Sequence, residues 1–151
     1  MPLVIEEDFL PATLTAAPMT DDEFAEFVAG YPEYFIEMTA EGEILIMPPA
    51  YSLTGMRGMK IARQVEDWTL RQGAGFATDG TSGFVLPSGA RRSPDAAWTA
   101  KVRVQSMDDA FLQKYWHLCP DFVIELRSRT DRLPVLRAKM REWIENGAQL
   151  A

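Results

Sequence analysis

The chain of 151 residues reads as one α/β or α+β domain with a mixed central sheet flanked by helices. Three observations point there. Short apolar runs bounded by turn residues, such as EILIM and FVIEL, alternate with longer stretches of helical period. Most of the helical stretches carry a start or stop signal of their own. The composition, 47% hydrophobic and 25% charged, is that of a chain able to bury a single core.

Residues 1–19 hold Pro2, Pro11 and Pro18 among small residues and read as an extended arm. Residues 20–151 are then the folded domain. Thr20, followed by Asp21, Asp22 and Glu23, is an N-cap with acids in the first turn, opening a helix to about Ala29. YFIEMTA and EILIM, joined through Ala40, Glu41 and Gly42, form a hairpin. From about Thr54 to Gln72, Ile61, Val65 and Trp68 recur at helical spacing, and Gly73 ends that helix. FAT and GFVLP are short strands around the turn DGTSG, and PSG is a further turn. DAAWTAKV is a strand, and SMDDAFLQKYWHL a helix with acids at its start. FVIELRS has apolar residues on both faces, as a buried strand does. Pro134 to Asn146 is a helix with proline near its start and Gly147 at its end. NGAQLA opens what reads as a further strand, so the domain is expected to lack its C-terminal strand or strands.

No apolar run approaches the roughly 20 residues that span a bilayer, and MPLVIEEDFL lacks the pattern of a signal peptide. The single cysteine, Cys119, fits a reducing cytoplasm. One cysteine and one histidine do not make a structural zinc site. The net charge of −7 is unevenly spread. Residues 1–50 carry 11 acids and no Lys or Arg, so 51–151 carry 11 acids against 15 bases. A polyanion would meet the second part.

Two carboxylates stand where apolar residues are expected. Asp95 follows a proline in RRSPDAAW, and Glu125 lies in the apolar run PDFVIELRS. An ionised carboxylate buried without a partner costs several kcal/mol, of order 2–7 or more, so each needs compensation. One reading pairs Glu125 with Arg127, two residues on, and makes Asp95 a strand cap. The other has a divalent cation shared by Asp95 and Glu125 on adjacent strands. Mg²⁺ suits such a pair, because it takes one or two carboxylates and fills its other positions with water and phosphate oxygens. His117 reads as a packing or surface residue, and the four tryptophans as core.

Pro94-Asp95 followed by Glu125-Leu126-Arg127 resembles the signature of the PD-(D/E)XK nuclease superfamily. EILIMPP, TSGFVLPSGARRSPDAAW, CPDFVIELRS and KMREWIENGA, in that order, are similar to blocks of one bacterial branch, the family named Putative restriction endonuclease. The resemblance runs from about Asp21 onward. It implies a restriction-endonuclease-like fold and a metal-dependent endonuclease that hydrolyses DNA, with Mg²⁺ or Mn²⁺ as cofactor. It implies that Asp95 and Glu125 bind the metal. Arg127 stands where the superfamily has its lysine, and Lys139 on the following helix matches the displaced lysine. A lysine of lowered pKa there positions or deprotonates a nucleophile. The habit of such enzymes of cutting both strands implies a homodimer. Two departures stand out. Leu53-Thr54-Gly55 replaces a block that carries an acid in relatives, with Glu66 as the substitute on the same helix, and the strand expected after NGA is absent. Both fit an alternative, an inactive remnant of the fold serving as a binding or assembly module.

Overall fold

The protein is described from a computed structural model covering residues 9–129 and 131–151. It has eight strands and five helices among those residues. Strand β1 (Ala12–Thr15) precedes helix α1 (Asp21–Ala29). Thr20 caps α1 as expected, its hydroxyl accepting from the Glu23 N–H at 3.3 Å while the Glu23 carboxylate accepts from the Thr20 N–H at 2.8 Å. The hairpin is β2 (Phe35–Met38) and β3 (Glu43–Met47). Ile36, Met38, Ile44 and Ile46 bury against Phe24 of α1. β1 pairs with β3 on its other side, Ala12 opposite Ile46. Part of the expected arm is therefore an edge strand of the sheet, and residues 1–8 lie outside the described residues.

Helix α2 (Ser52–Gln72) starts two residues earlier than its apolar spacing announces. Gly73 closes it at φ 62°, a left-handed conformation that favours glycine, and its N–H reaches the Thr69 carbonyl at 2.8 Å. Val65 and Thr69 are its buried residues, and Trp68 packs edge-to-face on Trp98 at 5.1 Å. Then come β4 (Gly75–Asp79), β5 (Phe84–Val85), β6 (Arg91–Arg92) and β7 (Ala96–Ala100). After β7 the chain coils at once into α3 (Lys101–Val104), two residues short of the expected strand end. Ala100 still pairs with Gly75 of β4, but on its other side its N–H donates to the Asp121 carboxylate at 2.8 Å, where β8 has not yet begun.

The helix expected over 106–118 is only α4 (Asp109–Leu112). Beyond it the aromatic residues leave the helical path to cover Phe84. The Trp116 N–H donates to the Gly83 carbonyl at 3.1 Å, the Val85 N–H donates to the Trp116 carbonyl at 2.9 Å, and the Phe84 and Trp116 rings meet edge-to-face at 6.0 Å. Burial of that ring outweighs a helix's backbone bonds. Strand β8 (Phe122–Ile124) is shorter than expected, and α5 (Leu133–Glu145) carries a proline near its start.

The strands make two antiparallel sheets, ordered β1-β3-β2-β6-β5 and β4-β7-β8. The α+β class holds, while the mixed character is confined to isolated parallel bridges, Phe84 with Trp116 and Phe122 with Leu150. The second bridge shows the NGAQLA segment beginning a strand-like pairing. A core of Phe84, Leu86, Val123, Leu118 and Trp143 fills the space beneath α5. Residues 93–95 link β6 of the first sheet to β7 of the second.

Candidate active site

Arg91 and Arg92 are adjacent on β6 and so point to opposite faces. Both are buried. Arg91 reaches back to α1, with Asp21 at 2.7 Å and the Phe24 ring at 5.1 Å. Arg92 bonds Glu142 of α5 through two nitrogens, at 2.7 and 3.1 Å, and Glu37 of β2 at 3.1 Å. The next residue, Ser93, donates its N–H to Glu37 at 2.9 Å. Two residues further on stands Asp95.

The ladder between β7 and β8 sets Ala96 opposite Ile124. One step outward along that register Asp95 faces Glu125, so the two acids occupy one end of the sheet on one face. Directly opposed residues have β-carbons about 5 Å apart. Glu125 is not mid-strand: it follows the last residue of β8. The Leu126 N–H, freed from the ladder, donates to Asp95 Oδ2 at 2.6 Å. Trp143, fully buried, donates its indole N–H to Glu125 Oε1 at 2.9 Å. Lys139 comes from α5, four residues before Trp143 and therefore on the same helix face. Its Nζ lies 2.9 Å from Glu125 Oε1 and 2.9 Å from Glu37 Oε1.

The electrostatics follow from burial and neighbours. The side chains of Glu37, Glu125 and Lys139 are 3%, 7% and 19% exposed. Burial pushes the Glu37 carboxyl upward, but Lys139, Arg92 and the Ser93 N–H outweigh it and hold the group below its ordinary value. Burial also raises Glu125, and Lys139 and Trp143 do not fully offset it. Asp95 is raised by burial despite the Leu126 N–H and Lys139. Burial acts to lower Lys139, yet Glu37 and Glu125 together push it above its ordinary value. The lysine is thus a fixed cation. The expectation of a lowered pKa, and with it a lysine that takes a proton from water, is corrected by the two carboxylates on it.

Asp95, Glu125 and Lys139 come together as the sequence implies. Arg127 does not join them. It is exposed, and its Nε reaches the Asp131 carbonyl at 3.4 Å. The pairing of Glu125 with Arg127 is replaced by Glu125 with Lys139. Glu66 is exposed on α2 and lines a surface pocket with Thr78, Asp79 and Ser82, at the end of β4 where Asp79 stands opposite Ala96. The acid that joins the lysine is Glu37, which sequence reasoning leaves in the hairpin. The sequence carries no signal for it: FIEMTAEGEILI places Glu37 on the face opposite Ile36 and Met38, as a solvated acid would be, yet in the structure all three are buried. His117 is a surface residue paired with Asp21 at 2.7 Å. The second Pro-Asp pair, Pro120-Asp121, is structural. Its carboxylate is used by the Ala100 N–H, Arg103 and Gln149 at 2.8, 2.8 and 3.1 Å.

The donor set has a definite charge. Glu37, Asp95, Glu125 and Glu142 surround only Arg92 and Lys139, which leaves two negative charges uncompensated when all are ionised. Among the described residues no three acids, histidines or cysteines form a metal-binding group by themselves. The pair Asp95 and Glu125 fits an ion that needs few protein ligands, as Mg²⁺ does. Asp95 Oδ1 and Glu125 Oε2 stand outside the bonds just described, and a divalent ion there would offset the cost of burying both charges.

This carboxylate pair and its lysine lie at one end of an antiparallel sheet in an α+β fold. The model of the Uma2 family, described as "Putative restriction endonuclease", matches residues 21–151, and the chain belongs to that family. Its fold is similar to a crystal structure described as "a putative nuclease belonging to DUF820 from Anabaena variabilis", with a TM-score of 0.67 and 18% sequence identity over 88% of this chain and 73% of that one. No curated protein matches the chain. Among the described residues no helix is long and apolar enough to cross a membrane.

Proposed function

We propose that the protein is a metal-dependent endonuclease that hydrolyses DNA phosphodiester bonds, with Asp95 and Glu125 as the ligands of one Mg²⁺, or Mn²⁺ in its place. The observation that carries this reading is the place of Asp95 and Glu125 one residue beyond the paired Ala96 and Ile124, with Asp95 bonded to the Leu126 N–H and Lys139 bonded to Glu125. When bound, the ion supplies a Lewis acid for the phosphate and a bound water of lowered pKa.

The chain's own residues supply position and charge. The Leu126 N–H holds Asp95 through Oδ2, and Trp143 and Lys139 hold Glu125 through Oε1, so among the described residues these bonds orient each carboxylate through one oxygen and leave the other to meet the ion. Lys139, pushed above its ordinary value by Glu37 and Glu125, is placed to offset negative charge gathering on the phosphate oxygens. Glu37 and Arg92 fix the lysine from behind. Arg127, exposed beside the site, meets the substrate phosphate rather than the reacting water.

Incubation of supercoiled plasmid with Mg²⁺ or Mn²⁺ tests the reading. Wild type is expected to nick and linearise it, while Asp95→Ala and Glu125→Ala leave it intact. Equal nicking by all three proteins sinks the assignment. No nicking by a folded wild type favours the silent binding module.

A further inference from the structure

We infer that Arg129 and Arg132, with Arg127, form a strip that binds the phosphodiester backbone of a nucleic acid beside the candidate site. The inference rests on the nuclease reading for the placement of the scissile phosphate, and on independent observations for the strip itself. The chain as a whole is acidic, with a net charge of −7. Residues 127–141 reverse this, with Arg127, Arg129, Arg132, Arg137, Lys139 and Arg141 against the single acid Asp131. Lys139 is consumed by Glu37 and Glu125. The five arginines are all exposed, and among the described residues none makes an ion pair. The one acid is itself occupied: Asp131 Oδ2 accepts from the Ser128 N–H at 2.6 Å. Unpaired arginines gathered on an acidic protein are the footprint of a polyanionic partner.

Helix geometry divides the five. At about 100° per residue, Arg132, at the N-cap of α5, falls within about 20° of Lys139, seven residues on. Trp143, Lys139 and Arg132 thus run along one face, from the core through the site to solvent. Arg137 and Arg141 lie two residues either side of Lys139 and so roughly 160° away, on the outer face. Arg132 lies about 10 Å along the axis from Lys139, by 1.5 Å per residue. One DNA strand carries a phosphate about every 3.4 Å of helix axis. A strand with one phosphate at Lys139 therefore sets another, about three nucleotides along, near Arg132. Guanidinium groups suit that role because they offer paired donors to phosphate oxygens.

The test uses the full chain with EDTA, so that binding is read without cleavage. A fluorescent 20-base-pair duplex, and its single-stranded and RNA counterparts, are titrated at several salt concentrations. For Arg129→Ala/Arg132→Ala the slope of log affinity on log salt is expected to fall by about 1.8, at about 0.9 for each phosphate that is no longer neutralised. Binding at 100 mM salt is expected to weaken roughly 50-fold or more by the same relation. Arg129→Glu/Arg132→Glu weakens it further. Arg137→Ala/Arg141→Ala, on the outer face, leaves the slope within error of wild type. Circular dichroism confirms that each variant is folded. An unchanged slope in Arg129→Ala/Arg132→Ala, an equal loss in Arg137→Ala/Arg141→Ala, or absence of wild-type binding at low salt overturns the strip. Salt-dependent binding through these arginines without plasmid cleavage keeps the strip and removes the nuclease reading. Cleavage with an unchanged slope does the reverse.

Discussion

Lys139→Met removes the cation that joins two buried carboxylates and keeps most of the apolar stem. In the wild type its Nζ touches both Glu37 and Glu125 at 2.9 Å with 19% of the side chain exposed. Removing one partner of a buried pair costs about 3–5 kcal/mol. Glu37 keeps Arg92 and the Ser93 N–H, and Glu125 keeps Trp143, so the cost here is set lower, at about 2–4 kcal/mol at pH 7. For a domain of this size that is roughly 5–15 °C in melting temperature. The loss depends on pH with a definite sign. Glu37 is held below its ordinary value, partly by Lys139, so it stabilises the fold above the usual carboxylate range, and that contribution disappears as pH falls through its folded value. Glu125 is held above its ordinary value even with Lys139 present, and takes a proton more readily once the lysine is gone. Both effects make the difference between wild type and variant largest near neutral pH and smaller as pH falls toward 4. The raised lysine works the same way at the other end. Its contribution is complete below its unfolded value and is lost as pH rises through the folded one. Urea unfolding in EDTA at pH 7 and at pH 4.5–5 measures this. A loss under about 0.5 kcal/mol, typical of a surface charge, or one independent of pH, refutes the buried cluster.

Asp95→Asn is expected to melt at or above the wild-type temperature without metal, because the burial that raises Asp95 already penalises its charge; a clear fall in EDTA contradicts this. The stabilisation that Mg²⁺ gives the wild type in thermal melts is expected to shrink as pH falls through the raised values of Asp95 and Glu125, since protons compete with the ion. Arg92→Met takes the cation from Glu142 and one of two from Glu37, which keeps Lys139, and is expected to cost about 3–5 kcal/mol by denaturant unfolding. Lys114→Ala, whose pair with Asp22 is exposed, leaves the midpoint where it was. Burial pushes the Cys119 thiol up to about 11, so iodoacetamide at pH 8 is expected to label it only after unfolding; rapid labelling of the native chain goes against its buried position.

Local signals read correctly where the local chain decides. Thr20, Gly73 and Gly147 mark helix ends because capping needs only neighbouring residues. The hairpin is legible for the same reason. Residues 106–118 mislead because helical spacing there competes with a distant event, the covering of Phe84 by Trp116, which no local pattern records. Strand β6 escapes a reading by hydrophobic pattern because two arginines make a poor apolar run. They enter the sheet only because Asp21, Glu37 and Glu142, all remote in sequence, receive them. The site divides the same way. Asp95 and Glu125 announce themselves as charges in apolar surroundings. Glu37 stays hidden, because a hairpin acid looks solvated until its partners arrive from β6 and α5. The sign of the lysine shift is equally out of reach, since it depends on counting carboxylates around one nitrogen.

Everything functional rests on Asp95 and Glu125 holding one divalent ion between them. Mn²⁺ binding followed by electron paramagnetic resonance, in the presence of a short duplex, measures it directly. The wild type is expected to take up one ion per chain that Mg²⁺ displaces, and Asp95→Asn and Glu125→Gln, both folded, to take up none at the same concentration. Uptake that these two substitutions leave unchanged, or a wild type that takes up no ion, contradicts it.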